Sequence, residues 1–250
     1  MCSILALIQL YPGTPTHYLL PSGRAIGTIG SPPFLGCMLL LALPVAALRE
    51  PRHLLLLIPA LLATRSRAAI LAAAVGAFVL YLLRPKEAVE GEAPRWVSAL
   101  FIAAPALLFI IALDRAASDT MRLYTWSVAW KAFLARPLLG WGPDNFIDAF
   151  TRLRTADWIE ASGNGGYTVS ENAHNIVLNI LATQGIFGLA PRIVMLWKTT
   201  TAANAMAAWG SDAARALLAA GASVLVYSLL NPVPFMAWCV LSFLVGALGI

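Results

Sequence analysis

Apolar runs that span, or nearly span, a lipid bilayer recur along almost the whole chain, and they constrain the fold more than any other feature. They are Phe34 to Leu48, Leu54 to Thr64, Ala68 to Leu83, Trp96 to Leu113, Ala173 to Ala190, Ala213 to Leu230 and Phe235 to Ile250. A helix needs roughly 20 residues to cross a hydrocarbon core of about 30 Å. Leu54 to Thr64 is the weakest, since a helix rises only about 1.5 Å per residue and so short a run must be tilted, re-entrant or sheltered. Composition argues against a water-soluble domain, because 60% of residues are hydrophobic and 12% charged, where soluble domains carry about 25% charged residues. The expectation is an all-α fold, a polytopic transmembrane helix bundle with a large extracytoplasmic loop carrying short amphipathic helices.

Orientation follows from Lys and Arg in short loops, which are retained in the cytoplasm. Arg49 with Arg52, Arg84 with Lys86 and Arg95, and Arg192 with Lys198 occupy alternate loops. That places Arg65 and Arg67, the loop Asp114 to Asn172 and the turn Asn231 to Pro234 outside, provided Leu54 to Thr64 counts as a crossing. The long loop carries its own cations, but also seven acidic residues, and long loops translocate with less regard for charge. The chain divides as one membrane domain: an extracytoplasmic leader and loop over 1–33, helices over 34–113, the loop over 114–172 and helices over 173–250. The start, Met1-Cys2-Ser3-Ile4, lacks a basic leader and a cleavage site, and Ile4 to Leu10 is too short to span. The chain therefore reads as beginning inside a longer protein.

Cys2, Cys37 and Cys239 lie far apart in apolar stretches and read as packing residues, with neither zinc nor disulfide spacing. The net charge of +5 forms no continuous patch, so nucleic acid is not an expected partner.

Three groups of residues can carry chemistry. In Thr64-Arg65-Ser66-Arg67, two arginines on one continuous helix would point about 200° apart, so only a break could bring both to one cavity. A guanidinium beside the membrane is a bidentate phosphate clamp; the plain alternative is that both reach the headgroup region. In the second group, Arg122, Trp126, Trp130 and Phe133 recur at helical spacing, an aromatic stripe beneath an arginine on a helix ended by Pro137. The turn-rich Pro137-Leu138-Leu139-Gly140-Trp141-Gly142 follows. Its aromatic residues read first as an interfacial anchor. The third group is Ser170-Glu171-Asn172-Ala173-His174-Asn175, where His174 is expected in the first turn of a membrane helix. The macrodipole there would keep its ring neutral and able to accept a proton. A histidine merely hydrogen-bonded at the interface is the competing reading. His17 and His53 have no evident partner, and Asp144 and Asp148, though at helical spacing, complete no metal-ligand pattern. No phosphate-binding loop, Gly-x-Ser-x-Gly elbow or His-Glu-x-x-His occurs.

The order of these motifs resembles the O-antigen ligase family. It is carried by Arg24-Ala25-Ile26-Gly27-Thr28-Ile29-Gly30-Ser31-Pro32, Ser66-Arg67-Ala68, Arg122 with Trp126, Pro137 to Gly142, His174-Asn175 and Gln184-Gly185-Ile186-Phe187-Gly188. That family includes O-antigen polymerases and pilin-type O-oligosaccharyltransferases. The resemblance implies transfer of a glycan from undecaprenyl diphosphate to an acceptor hydroxyl, such as lipid A-core, on the periplasmic side of the bacterial inner membrane. The enzyme would be a multi-pass glycosyltransferase needing no metal or cofactor, with membrane lipids around it. By the matching motifs, His174 would be the general base, Arg67 and Arg122 the diphosphate ligands and Arg24 a lesser candidate for binding the donor; Arg67, Arg122 and His174 are expected to line one cavity. Two departures stand out: the family's additional N-terminal helices are missing, and Asn172 stands where a second histidine is common. An anion-binding transporter or an inactive fragment are the readings from other classes.

Overall fold

The computed structural model describes residues 2–9, 11, 24–83, 116–161, 169–233, 235–247 and 249. The expected span Trp96 to Leu113, the cations Arg84, Lys86 and Arg95, the residue Asp114 and His17 lie outside them. Among the described residues the secondary structure is helical throughout: α1 (Cys2–Ile8), α2 (Pro32–Arg49), a 3-10 turn (Pro51–His53), α3 (Leu54–Ala63), α4 (Arg67–Leu82), α5 (Ala116–Ala135), α6 (Phe146–Leu153), α7 (Ala156–Ala161), α8 (Ile176–Ala208), α9 (Asp212–Ser228) and α10 (Phe235–Ala247). Helices α2, α3, α4, α9 and α10 coincide with expected apolar runs. Among the described residues two helices, α2 and α8, are long and apolar enough to cross a membrane; α3, with the 3-10 turn before it, and α4 are shorter apolar helices.

The described residues form two compact units. One holds α1 to α4, the end of α8 from Thr199, α9 up to Tyr227 and α10. In it α2 packs on α3, α4 and α10, and α1 on α3. Close approach depends on small residues: a β-carbon added to Gly36 of α2 would lie 2.7 Å from that of Ala69 on α4. The Tyr227 hydroxyl, fully buried, donates to the Pro33 carbonyl at 2.7 Å and ties α9 to the start of α2.

The second unit holds α5 to α7, the segment before α8, α8 as far as Lys198, and Ser228–Pro232. Its core is built from Val128, Ala129 and Ala132 of α5, Phe146, Ala149 and Phe150 of α6, Trp158 of α7, and Ala173 and Ala182. Helix α6 shows why eight residues suffice: Phe146, Ala149 and Phe150 share its buried face, while Asp148 and Arg152 face out. Asp144 precedes that helix at φ +60°, so it does not share a helical face with Asp148.

Helix α8 differs from the expected span Ala173 to Ala190. It is two helical segments meeting at Gly185, whose φ of 64° and ψ of −161° fall in a region essentially restricted to glycine. Beyond the kink it runs on to Ala208, so Arg192 and Lys198 are helical and do not form a short loop. The reason is local: after Pro191, near the start of the second segment, no glycine or proline interrupts the chain until Gly210. The reversal comes there, at φ +93°.

Candidate active site

The turn between α3 and α4 supplies the break that the two arginines require. Arg65 adopts a left-handed conformation, φ +47°, which ends α3. Ser66 then caps α4, its hydroxyl accepting from the Ala69 N–H at 3.4 Å, and Arg67 opens the helix. The result is an exposed Arg65 and a half-buried Arg67. Arg24 comes to the same turn, its Nε donating to the Thr64 carbonyl at 2.8 Å, while the Ala25 N–H donates to the Ala63 carbonyl at 3.0 Å. These contacts satisfy carbonyls that a helix end leaves open. The loop bearing Arg24 is fixed from its other side by Gln9, whose side-chain oxygen accepts from the Ile26 and Gly27 N–H groups at 3.1 and 3.0 Å and whose nitrogen donates to the Gly27 carbonyl at 3.2 Å. A buried carboxamide reproduces strand-like backbone pairing where no strand exists. Nothing in the sequence pattern marked Gln9 except its polarity at the end of an apolar run.

His174 lies one residue before the helix cap and outside the first turn of α8, where the sequence had placed it. Its φ is +51°, a left-handed conformation uncommon for histidine and worth a functional question. Three asparagines hold it there. Asn172 accepts from the His174 N–H at 2.9 Å, Asn175 caps α8 by accepting from the Leu178 N–H at 3.1 Å, and Asn179 accepts from the Ala173 N–H at 3.0 Å. The Ser170 hydroxyl closes the turn on the Asn172 carbonyl at 2.7 Å. Asn172, the departure from the common histidine, thus has a defined task in this chain.

Burial of the ring holds His174 below the ordinary imidazole value, and the nearby positive charge of Arg122 pushes in the same direction. The neutral form expected from the helix dipole is therefore favoured, chiefly by desolvation. Nδ1 is buried with no hydrogen-bond partner among the described residues. On α5, Arg122 also reaches Asn231, with Nη2 to Oδ1 at 3.3 Å. One helical turn on, the indole nitrogen of Trp126 is likewise buried with no partner among the described residues, whereas Trp130 is about half exposed and stacks at 5.2 Å from Phe133. The stripe is therefore divided: its upper tryptophan faces inward and its lower one outward, as an anchor would.

Behind this site the segment Pro137 to Gly142 locks onto the kink of α8. The Trp141 and Gly142 N–H groups donate to the carbonyls of Ala182 and Thr183 at 3.0 and 2.7 Å, and the Ile186 and Phe187 N–H groups donate to those of Pro137 and Leu138 at 2.9 and 3.2 Å. These are backbone groups that an unbroken helix would have paired internally. Two sequence motifs 45 residues apart, Gly140 and Gly185 at their centres, are one structural device.

The structure thus brings Arg24 to the turn that leads into Arg67, and brings Arg122 near enough to His174 for its charge to act on the ring, each pair inside its own unit. Asn231 and Asn179 went unrecognised in the sequence, and Asn172 and Asn175 entered it only as neighbours of His174; the signal for Asn231 and Asn179 was an isolated polar residue next to or within an apolar run. Among the described residues no cluster of three His, Cys, Asp or Glu side chains is found, and His53 is exposed.

No curated protein and no solved structure matches the chain. A family model described as O-antigen ligase matches residues 53–191, a stretch that holds Arg67, Arg122, both glycine motifs and His174 and ends before Asn231. Since this match covers more than half of the sequence, the chain belongs to the O-antigen ligase family, whose members are membrane-associated, glycosyltransferase-like enzymes.

Proposed function

We propose that this protein transfers a glycan from undecaprenyl diphosphate to an acceptor hydroxyl on the extracytoplasmic face of the bacterial inner membrane, in the manner of an O-antigen ligase. The observation that supports it best is a partly buried histidine near an arginine, held in a left-handed turn by three asparagines. The acceptor oxygen attacks the anomeric carbon, the bond from that carbon to the diphosphate breaks with inversion, and the hydroxyl proton passes to His174. With Nδ1 closed off, Nε2 is the nitrogen left to take it. A base in hydrogen-bond reach contributes on the order of 10² to 10⁴ in rate. The diphosphate is already an activated leaving group, and Arg122 stabilises the charge it carries away. Arg67, with Arg24 on its turn, is assigned to the diphosphate by the same family motifs.

The test is release of undecaprenyl diphosphate from a lipid-linked glycan by the purified chain. It should depend on an acceptor and be lost in His174→Ala; release independent of both would overturn the assignment. Ligase and polymerase roles separate in a deletion strain, where loss of a ligase leaves bare lipopolysaccharide core and loss of a polymerase leaves single repeats. Protein glycosylation would leave both patterns unchanged.

A further inference from the structure

We propose that Asn231 is a positioning residue for Arg122: its carboxamide oxygen aims the guanidinium at the anionic donor without neutralising it. This rests on the reading of Arg122 as a diphosphate ligand and adds a residue beyond the family-matched stretch.

The geometry is specific. Asn231 sits between α9 and α10, is only 7% exposed and meets Arg122 from 109 positions away in the sequence. Pro232 follows it, and a residue before proline is driven out of helical conformation, so the asparagine backbone, three residues past the end of α9 at Ser228, is restrained. Arginine offers donors alone, so the oxygen of Asn231 must face it and the orientation of the amide is determined. A long, flexible side chain that binds an anion gains from an acceptor that fixes its planar fork in advance. A carboxylate at this position would hold the guanidinium more firmly but cancel the charge the donor needs. A neutral amide holds it and leaves the charge intact.

The experiment measures binding of undecaprenyl diphosphate to the purified full chain in lipid nanodiscs. Arg122→Leu and Asn231→Leu are each expected to weaken it, Asn231→Leu by about tenfold, as for loss of a hydrogen bond to a charged group. The double variant should bind no more weakly than Arg122→Leu alone, because the asparagine acts through the arginine. Asn231→Asp, which keeps an acceptor in place, is expected to retain wild-type thermal stability and still bind the anion less tightly. Wild-type binding in Asn231→Leu or Asn231→Asp, or a further tenfold loss in the double variant, overturns the inference. Wild-type binding in Arg122→Leu would instead overturn the assignment of Arg122, and the inference with it.

Discussion

Gly140 and Gly185 each pack against the backbone of the segment that carries the other: a β-carbon on Gly140 would lie 2.6 Å from the Thr183 oxygen, and one on Gly185 would lie 2.6 Å from the Pro137 oxygen. Both residues also have positive φ, +67° and +64°. Four backbone hydrogen bonds cross this seam, and His174 lies on the segment leading into the helix that the seam breaks.

Gly140→Ala and Gly185→Ala are each expected to destabilise the protein, by about 1–3 kcal/mol from the forced backbone conformation alone and by more from the collision. Thermal unfolding in detergent would check this. Unchanged midpoints in both variants would contradict the packing described.

His174→Gly and His174→Ala should both be inactive, yet differ in stability. Glycine relieves the left-handed conformation, so His174→Gly is expected to be more stable than His174→Ala by about 1–2 kcal/mol. Equal unfolding midpoints would mean that the turn stores no strain.

The pH dependence of transfer follows from the lowered pKa of His174. A base that must be neutral stays active as the pH falls through 6.5, the ordinary imidazole value, and fails only below it. Burial is the larger cause, so Arg122→Gln should move the acid limb upward only part of the way. For stability the sign is the same: the folded state binds the proton less readily than the unfolded chain, so the contribution of His174 is complete above about pH 6.5 and lost as pH falls. A pH–rate profile and acid titrations of wild type against His174→Gln measure both.

Asn172→Ala frees the His174 N–H and should cost about 0.5–2 kcal/mol, as for loss of a capping side chain. The rate of transfer should fall with little change in donor affinity, because only the imidazole loses its position. A change confined to donor affinity would assign Asn172 elsewhere.

Lysine at position 67 or 122 keeps the charge but not the planar fork, so Arg67→Lys and Arg122→Lys are each expected to raise the donor KM about tenfold, as for one lost charge-assisted hydrogen bond. Full activity in both would remove the diphosphate-clamp assignment.

The sequence by itself determined five of the helices and the chemical types expected at the site. Hydrophobic runs report a local property, so α2, α3, α4, α9 and α10 were legible, as was the end of α5 before Pro137. Motif order likewise led to Arg67, Arg122, His174 and Arg24. Only the structure decided what depends on hydrogen-bond geometry and on partners distant in the chain. Hydrophobicity carries no sign of a kink repaired by another segment, so the break at Gly185 and the helical state of Arg192 and Lys198 were missed. Nor does it reveal that Asn172, Asn175 and Asn179 hold His174 outside the helix, or that Asn231 meets Arg122. The asparagine bonds around His174 are local, spanning two to six residues, but hydropathy is blind to them because it records no side-chain geometry; the bond between Arg122 and Asn231 spans 109 positions and comes into existence only when the chain folds.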